Sequence, residues 1–66
     1  MQVAQVKENM LKTVMFRGAK YKLIGYVYWV DIHERRARHS LEIQDLKAPN
    51  CVVRAAIEDV EVIENE

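Results

Sequence analysis

The chain has 66 residues, 50% of them hydrophobic and 30% charged, with a net charge of zero, which describes one small globular domain and excludes a disordered chain. The single cysteine, Cys51, allows no intramolecular disulfide, and Met1 to Glu8 lacks a basic stretch followed by an apolar one, so the expected compartment is the cytoplasm. The longest apolar-leaning run, Leu23 to Val30, is far shorter than a membrane span, and a core this small needs dense aliphatic packing or oligomerisation to be stable.

The first segment, residues 1–11, reads as a short helix. Val3, Val6 and Met10 recur at three-to-four spacing, with Ala4 and Leu11 beside that stripe and Gln2, Gln5, Lys7, Glu8 and Asn9 opposite it. So short a helix is marginal alone and needs a surface to lie on. A strand over residues 2–6 is the alternative.

From Lys12 the period becomes two. Val14 and Phe16 alternate with Thr13, Met15 and Arg17, and Gly18-Ala19 supplies a turn. Tyr21 to Val30 is rich in the aromatic and β-branched residues that suit a pleated surface. Strict alternation puts Tyr21, Leu23, Gly25, Val27 and Trp29 on one face, and Lys22, Ile24, Tyr26, Tyr28 and Val30 on the other. The first face is expected to be core. The second is also apolar, which a strand with one wet face should not be, so it calls for a cover: the helix, Met10, Leu11 and Met15, a second subunit or a ligand. Gly25 marks a bulge or bend.

Asp31 to Arg38 is polar and reads as a hairpin loop. His39 to Asp45 alternates, with Leu41 and Ile43 inward, and Lys47-Ala48-Pro49-Asn50 makes the next turn. Cys51, Val53, Ala55 and Ile57 form the inward face of a further strand, on which Cys51 is expected as a small buried apolar residue. Glu58-Asp59 interrupts it, Val60 and Val62 begin a closing strand, and residues 64–66 are an acidic tail. Five short strands in fifty-odd residues predict a mainly β, five-stranded, largely antiparallel small barrel with a short N-terminal helix, in a single domain over residues 1–66.

The closing stretch Ala56-Ile57-Glu58-Asp59-Val60-Glu61-Val62-Ile63 resembles the end of SH3-like barrels, where a 3₁₀ turn precedes a short last strand ending Val-x-x-Ile. The peptide-reading SH3 family's Ala-Leu-Tyr-Asp-Tyr start and paired Trp are absent, so the resemblance implies architecture without polyproline recognition. A short leading helix, Gly25 inside the second strand and Asp31 six residues later also resemble the Sm-like family. Arg35 stands where that family has its uridine-binding Asn, and Ala55 and Ala56 follow Arg54 where it has Gly-Asn or Gly-Asp. Ring assembly and RNA reading are therefore not implied.

Residues 1–40 carry eight basic residues against three acidic, and residues 41–66 carry two against seven. Such asymmetry gives either a basic face and an acidic face or, as expected here, two halves that neutralise each other across neighbouring strands. Two binding surfaces stand out. Tyr26, Tyr28 and Val30 form an aromatic strand face for a protein partner or a second copy. Lys20 and Lys22, with Arg35, Arg36 and Arg38 on the hairpin loop, form the alternative, a cationic surface for single-stranded nucleic acid with Tyr26, Tyr28 and Trp29 nearby in sequence. His33 and His39, across the base of that hairpin and with Asp31 or Glu34, would be a sparse metal site beside a lone cysteine, so no metal or cofactor is expected. No phosphate-cradling glycine loop or nucleophile with an orienting partner is present, and the expected activity is binding without catalysis.

Overall fold

A computed structural model describes residues 1–63; the expected acidic tail lies outside the described residues. The element order is α1 (Val3–Asn9), β1 (Thr13–Phe16), β2 (Ala19–Asp31), β3 (Arg36–Asp45), β4 (Val52–Ala56), a 3₁₀ turn η1 (Ile57–Asp59) and β5 (Val60–Val62). The strands form one antiparallel sheet in the order β4-β3-β2-β1-β5. Among the described residues no ladder joins β4 to β5, so hydrogen bonding does not close the sheet there. The chain itself links those two edges, because η1 runs directly from β4 into β5. No helix among the described residues is long and apolar enough to cross a membrane.

The leading segment is helical, which settles the helix-or-strand alternative, and it is shorter than residues 1–11. The Gln2 amide donates to Gln5 Oε1 at 2.8 Å, and Asn9 Nδ2 donates to the Gln5 carbonyl. Leu11 then takes a left-handed φ of 67° and ends outside the core, and Val3 is half-exposed. Val6 is the buried anchor, with Met1 and Met10 packed beside it. A seven-residue helix therefore rests on one turn of apolar contact and on the Met1 amino group, which donates to the Ile57 and Val60 carbonyls at 3.2 and 2.6 Å.

β1 and β2 are joined at Arg17-Gly18, both at positive φ (50° and 79°), the geometry of the two-residue hairpin that matches strand twist. The core is Val6, Val14, Phe16, Leu23, Leu41, Ile43, Ala55, Ile57 and Val60, with no buried polar residue among the described ones. Leu41 and Ile43, expected to face inward, are buried, and so are Val14 and Phe16, the alternating apolar pair of β1. Tyr21 closes one side, edge-on to Phe16 at 5.7 Å.

Strict alternation fails at one place in β2. Leu23 lies opposite Ile43 and Gly25 opposite Glu42, so Ile24 is an extra residue, and the register shifts there. One inserted residue exchanges the faces of everything after it. Tyr26, Tyr28 and Val30 thus share the face of Leu23, opposite Leu41, His39 and Ala37, whereas Val27 and Trp29 lie on the outer face opposite Ser40 and Arg38. The expected core positions Val27 and Trp29 are corrected on this account. A Cβ on Gly25 would stand 2.8 Å from Glu42 Oε1, so the missing side chain is the space that Glu42 occupies.

Two further expectations are corrected. Cys51 precedes β4 and is exposed, because the chain is still leaving the Lys47–Asn50 turn there; Val53 and Ala55 carry the inward face of β4, and Ile57, just past it in η1, is buried as expected. The hairpin loop is shorter than Asp31–Arg38. Asp31 Oδ1 accepts the amides of His33 and Glu34 at 3.0 and 3.2 Å and Arg35 takes φ 54°, which turns the chain within Ile32–Arg35. Arg36 and Arg38 consequently belong to β3.

Candidate functional site: the β2–β3 arm

β1 pairs with β2 only as far as Lys22, and β4 pairs with β3 only from Ser40 onward. Beyond the last residues that β4 still flanks through β3, β2 and β3 continue as a two-stranded arm from Tyr28 through the turn to His39, and no residue in that span is fully buried. The radius of gyration is 12.1 Å, with extents of 36 × 26 × 18 Å, larger than the roughly 11 Å of a compact chain of this length.

The inner face of the arm begins at the core and ends in solvent. Tyr26 packs against the core edge. Its hydroxyl and His39 Nδ1 are hydrogen-bonded at 2.5 Å, and the His39 ring stacks on Tyr28 at 5.1 Å and 7° and on Tyr26 at 6.0 Å and 18°. His39 is thus held between two tyrosines of the neighbouring strand. Beyond this stack the side chains are exposed: Tyr28 54%, Val30 56% and, at the turn, Ile32 78%, with Trp29 45% on the outer face. Of the three expected interface residues, Tyr28 and Val30 are presented to solvent and Tyr26 anchors them. Trp29 and Ile32 join them as exposed apolar residues: strict alternation predicts Trp29 on the core face, so that only its place beside the cationic residues is legible in the sequence, and Ile32 is hidden in the polar pattern of its loop.

The expected basic surface is divided. Lys20 and Lys22 are exposed on β2 before the bulge, whereas Arg36 and Arg38 lie opposite Asp31 and Trp29 near the tip of the arm. From Lys22 to Trp29 is seven residues of strand, roughly 23 Å. Arg38 is bonded to Glu34 and lies 3.8 Å from Asp31, and Arg36 is 3.5 Å from Glu34. Arg35 occupies the turn. The pairs within the arm link residues of the same half of the chain, as does Arg54 with Glu42 at 3.4 Å. The expected neutralisation between halves is not seen in the ion pairs among the described residues; the reason is the hairpin, which brings sequence neighbours together.

An open cleft of about 640 Å³ runs along the free edge of β3, between Arg36–Ser40 and the Arg54–Glu58 segment. His33 lies in the turn and His39 faces Tyr28, so the two histidines do not meet across the hairpin base. No cluster of three or more His, Cys, Asp or Glu able to hold a metal occurs among the described residues. Comparison with protein-family models, curated proteins and solved structures finds no match to this chain.

Proposed function

We propose that this chain is a small, SH3-like barrel domain of the cytoplasm that works by protein association, without catalysis, through the β2–β3 arm. For the barrel, the supporting features are the 3₁₀ link between the two edge strands and the bulge at Ile24-Gly25, which lets one long strand bend through both halves of the sheet. For the function, one observation carries the reading. Tyr28, Trp29, Val30 and Ile32 are exposed together on an arm whose residues add little to the core. Aromatic side chains bring large contact area with few torsions to freeze, and such residues dominate protein interfaces. The nucleic-acid alternative has less support, because Arg36 and Arg38 are already paired with carboxylates and stand far from Lys20 and Lys22.

A photo-cross-linking residue placed at position 28 tests the proposal in cells. Protein adducts are expected from position 28 and not from position 20, and they should persist at high salt. The reading is overturned if position 28 yields none while the purified domain binds labelled oligonucleotides in a steeply salt-dependent manner that the triple change of Arg35, Arg36 and Arg38 to Glu abolishes.

A further inference from the structure

We infer that the free edge of β2 from Gly25 to Asp31 pairs antiparallel with the same edge of a second copy of this chain, with Tyr28 on the two-fold axis. The inference rests on the arm being an association surface and names its occupant. On the β1 side of β2, pairing ends with two backbone bonds, Leu11 amide to Leu23 carbonyl at 2.7 Å and Leu23 amide to Lys12 carbonyl at 3.0 Å. Beyond them, no strand or loop backbone among the described residues bonds to that side of β2. An open strand edge is a template for another strand, and proteins that avoid such pairing guard the edge with charge, proline or shortness. The other edges follow that practice: β4 has five residues with Arg54 at its centre, β5 has three with Glu61, and the free stretch of β3 before Ser40 carries Arg36 and Arg38. The segment from Ile24 to Val30 has seven residues with neither charge nor proline, and the bulge lies at its start, not within it.

The segment is also its own complement. Residues opposed in an antiparallel pair share a face, so a two-fold through Tyr28 sets Tyr26 against Val30 of the second copy and Val27 against Trp29. Apolar meets apolar on both faces. The stripe Tyr26, Tyr28, Val30 continues into its equivalent, and Val27 and Trp29 do the same on the outer face. Asp31 is the one charged residue of the edge, and it falls opposite Gly25, which has no side chain to oppose it. Glu42 lies over that glycine, but each of the two carboxylates already has an arginine, Arg38 for Asp31 and Arg54 for Glu42. Pairing would bury on the order of 1,000 Å² across both copies, below a standard interface and suited to a weak dimer that forms as concentration rises. A different protein would have to supply an uncharged strand of matching pattern; a second copy carries one.

Sedimentation velocity across a wide concentration range, on wild type, Tyr28→Lys, Tyr28→Glu and an equimolar mixture of the two variants, tests this. Wild type should pass from monomer to dimer. Each charged variant should set like charges against each other on the axis and weaken the dimer roughly tenfold or more. The mixture should recover it, since Lys then faces Glu. Amide exchange supplies the second readout: residues 25–31 of wild type should gain protection with concentration, while unchanged protection at Leu41 and Ile43 shows that the variants are folded. A wild type that stays monomeric throughout, a dimer that survives in both variants, or a mixture that fails to recover would each overturn the pairing. If wild type stays monomeric while position 28 still cross-links to a different protein, the functional reading stands and only this occupant is lost.

Discussion

The same two strands, β2 and β3, run through two regions that behave differently. In the body, Leu23 pairs with Ile43 and Tyr26 with Leu41; Leu23, Leu41 and Ile43 have no exposed surface. In the arm, Tyr28 pairs with His39 and Val30 with Ala37, and both members of the latter pair are exposed. Side-chain chemistry does not separate the regions, since Val, Tyr, Trp and Ile are as plentiful in the arm. Flanking strands do. Where β1 and β4 widen the ribbon and the strands around β5 and η1 fold over it, apolar side chains find a dry neighbour. Where the ribbon is only two strands wide, they do not, and a two-stranded ribbon is at best marginally stable in water. Residues that stability would not favour at such a place are residues available for contact with something else.

The comparison is broken most sharply in the core. Leu41→Ala should cost about 2–5 kcal/mol, enough to unfold much of a domain this small, whereas Val30→Ala should change stability by less than about 0.5 kcal/mol. Denaturant melts of the two variants side by side measure the contrast, and equal losses would mean that arm and body are one core. Gly25→Ala comes next. Its Cβ meets Glu42, which has to swing away from Arg54, and about 1 kcal/mol should be lost together with the Arg54–Glu42 pair. A neutral result would show that the bulge does not depend on the missing side chain. Tyr26→Phe probes the junction of the two regions: removing its hydroxyl leaves His39 Nδ1 without that partner, for an expected loss of roughly 0.5–1 kcal/mol. The aromatic stack should loosen too, visible as a shift of the His39 ring protons in NMR spectra. The smallest effect is expected from Arg38→Ala. Its contacts to Glu34 and Asp31 are solvent-accessible, so stability should change by less than about 0.5 kcal/mol in a melt at physiological salt.

Much of the body was legible in the residue pattern. Val14 and Phe16, Leu41 and Ile43, and the break at Glu58-Asp59 all follow from local periodicity and turn chemistry, which act over a few residues and are written in consecutive positions. The helix was legible as a period but not in length, because its end depends on where Leu11 and Lys12 meet Leu23 across the sheet. Of the candidate site, Tyr28 and Val30 were found through the excess of apolar residues in one strand. Their face was not: Gly25 signalled a bulge, but only the β2–β3 register shows that Ile24 is the inserted residue, and that single insertion moved Val27 and Trp29 outward.

The sequence by itself determined the β-rich class, the five strands, the leading helix and most of the core, since each of these follows from the alternation of apolar and polar side chains along a short stretch of chain. Only the tertiary structure decided which strands flank which, and therefore where the sheet narrows to an arm, which tyrosines enclose His39, and which arginines are already paired. Those outcomes depend on register and on strand length relative to neighbours far away in sequence, and a one-residue change in either moves a side chain from one face of the sheet to the other.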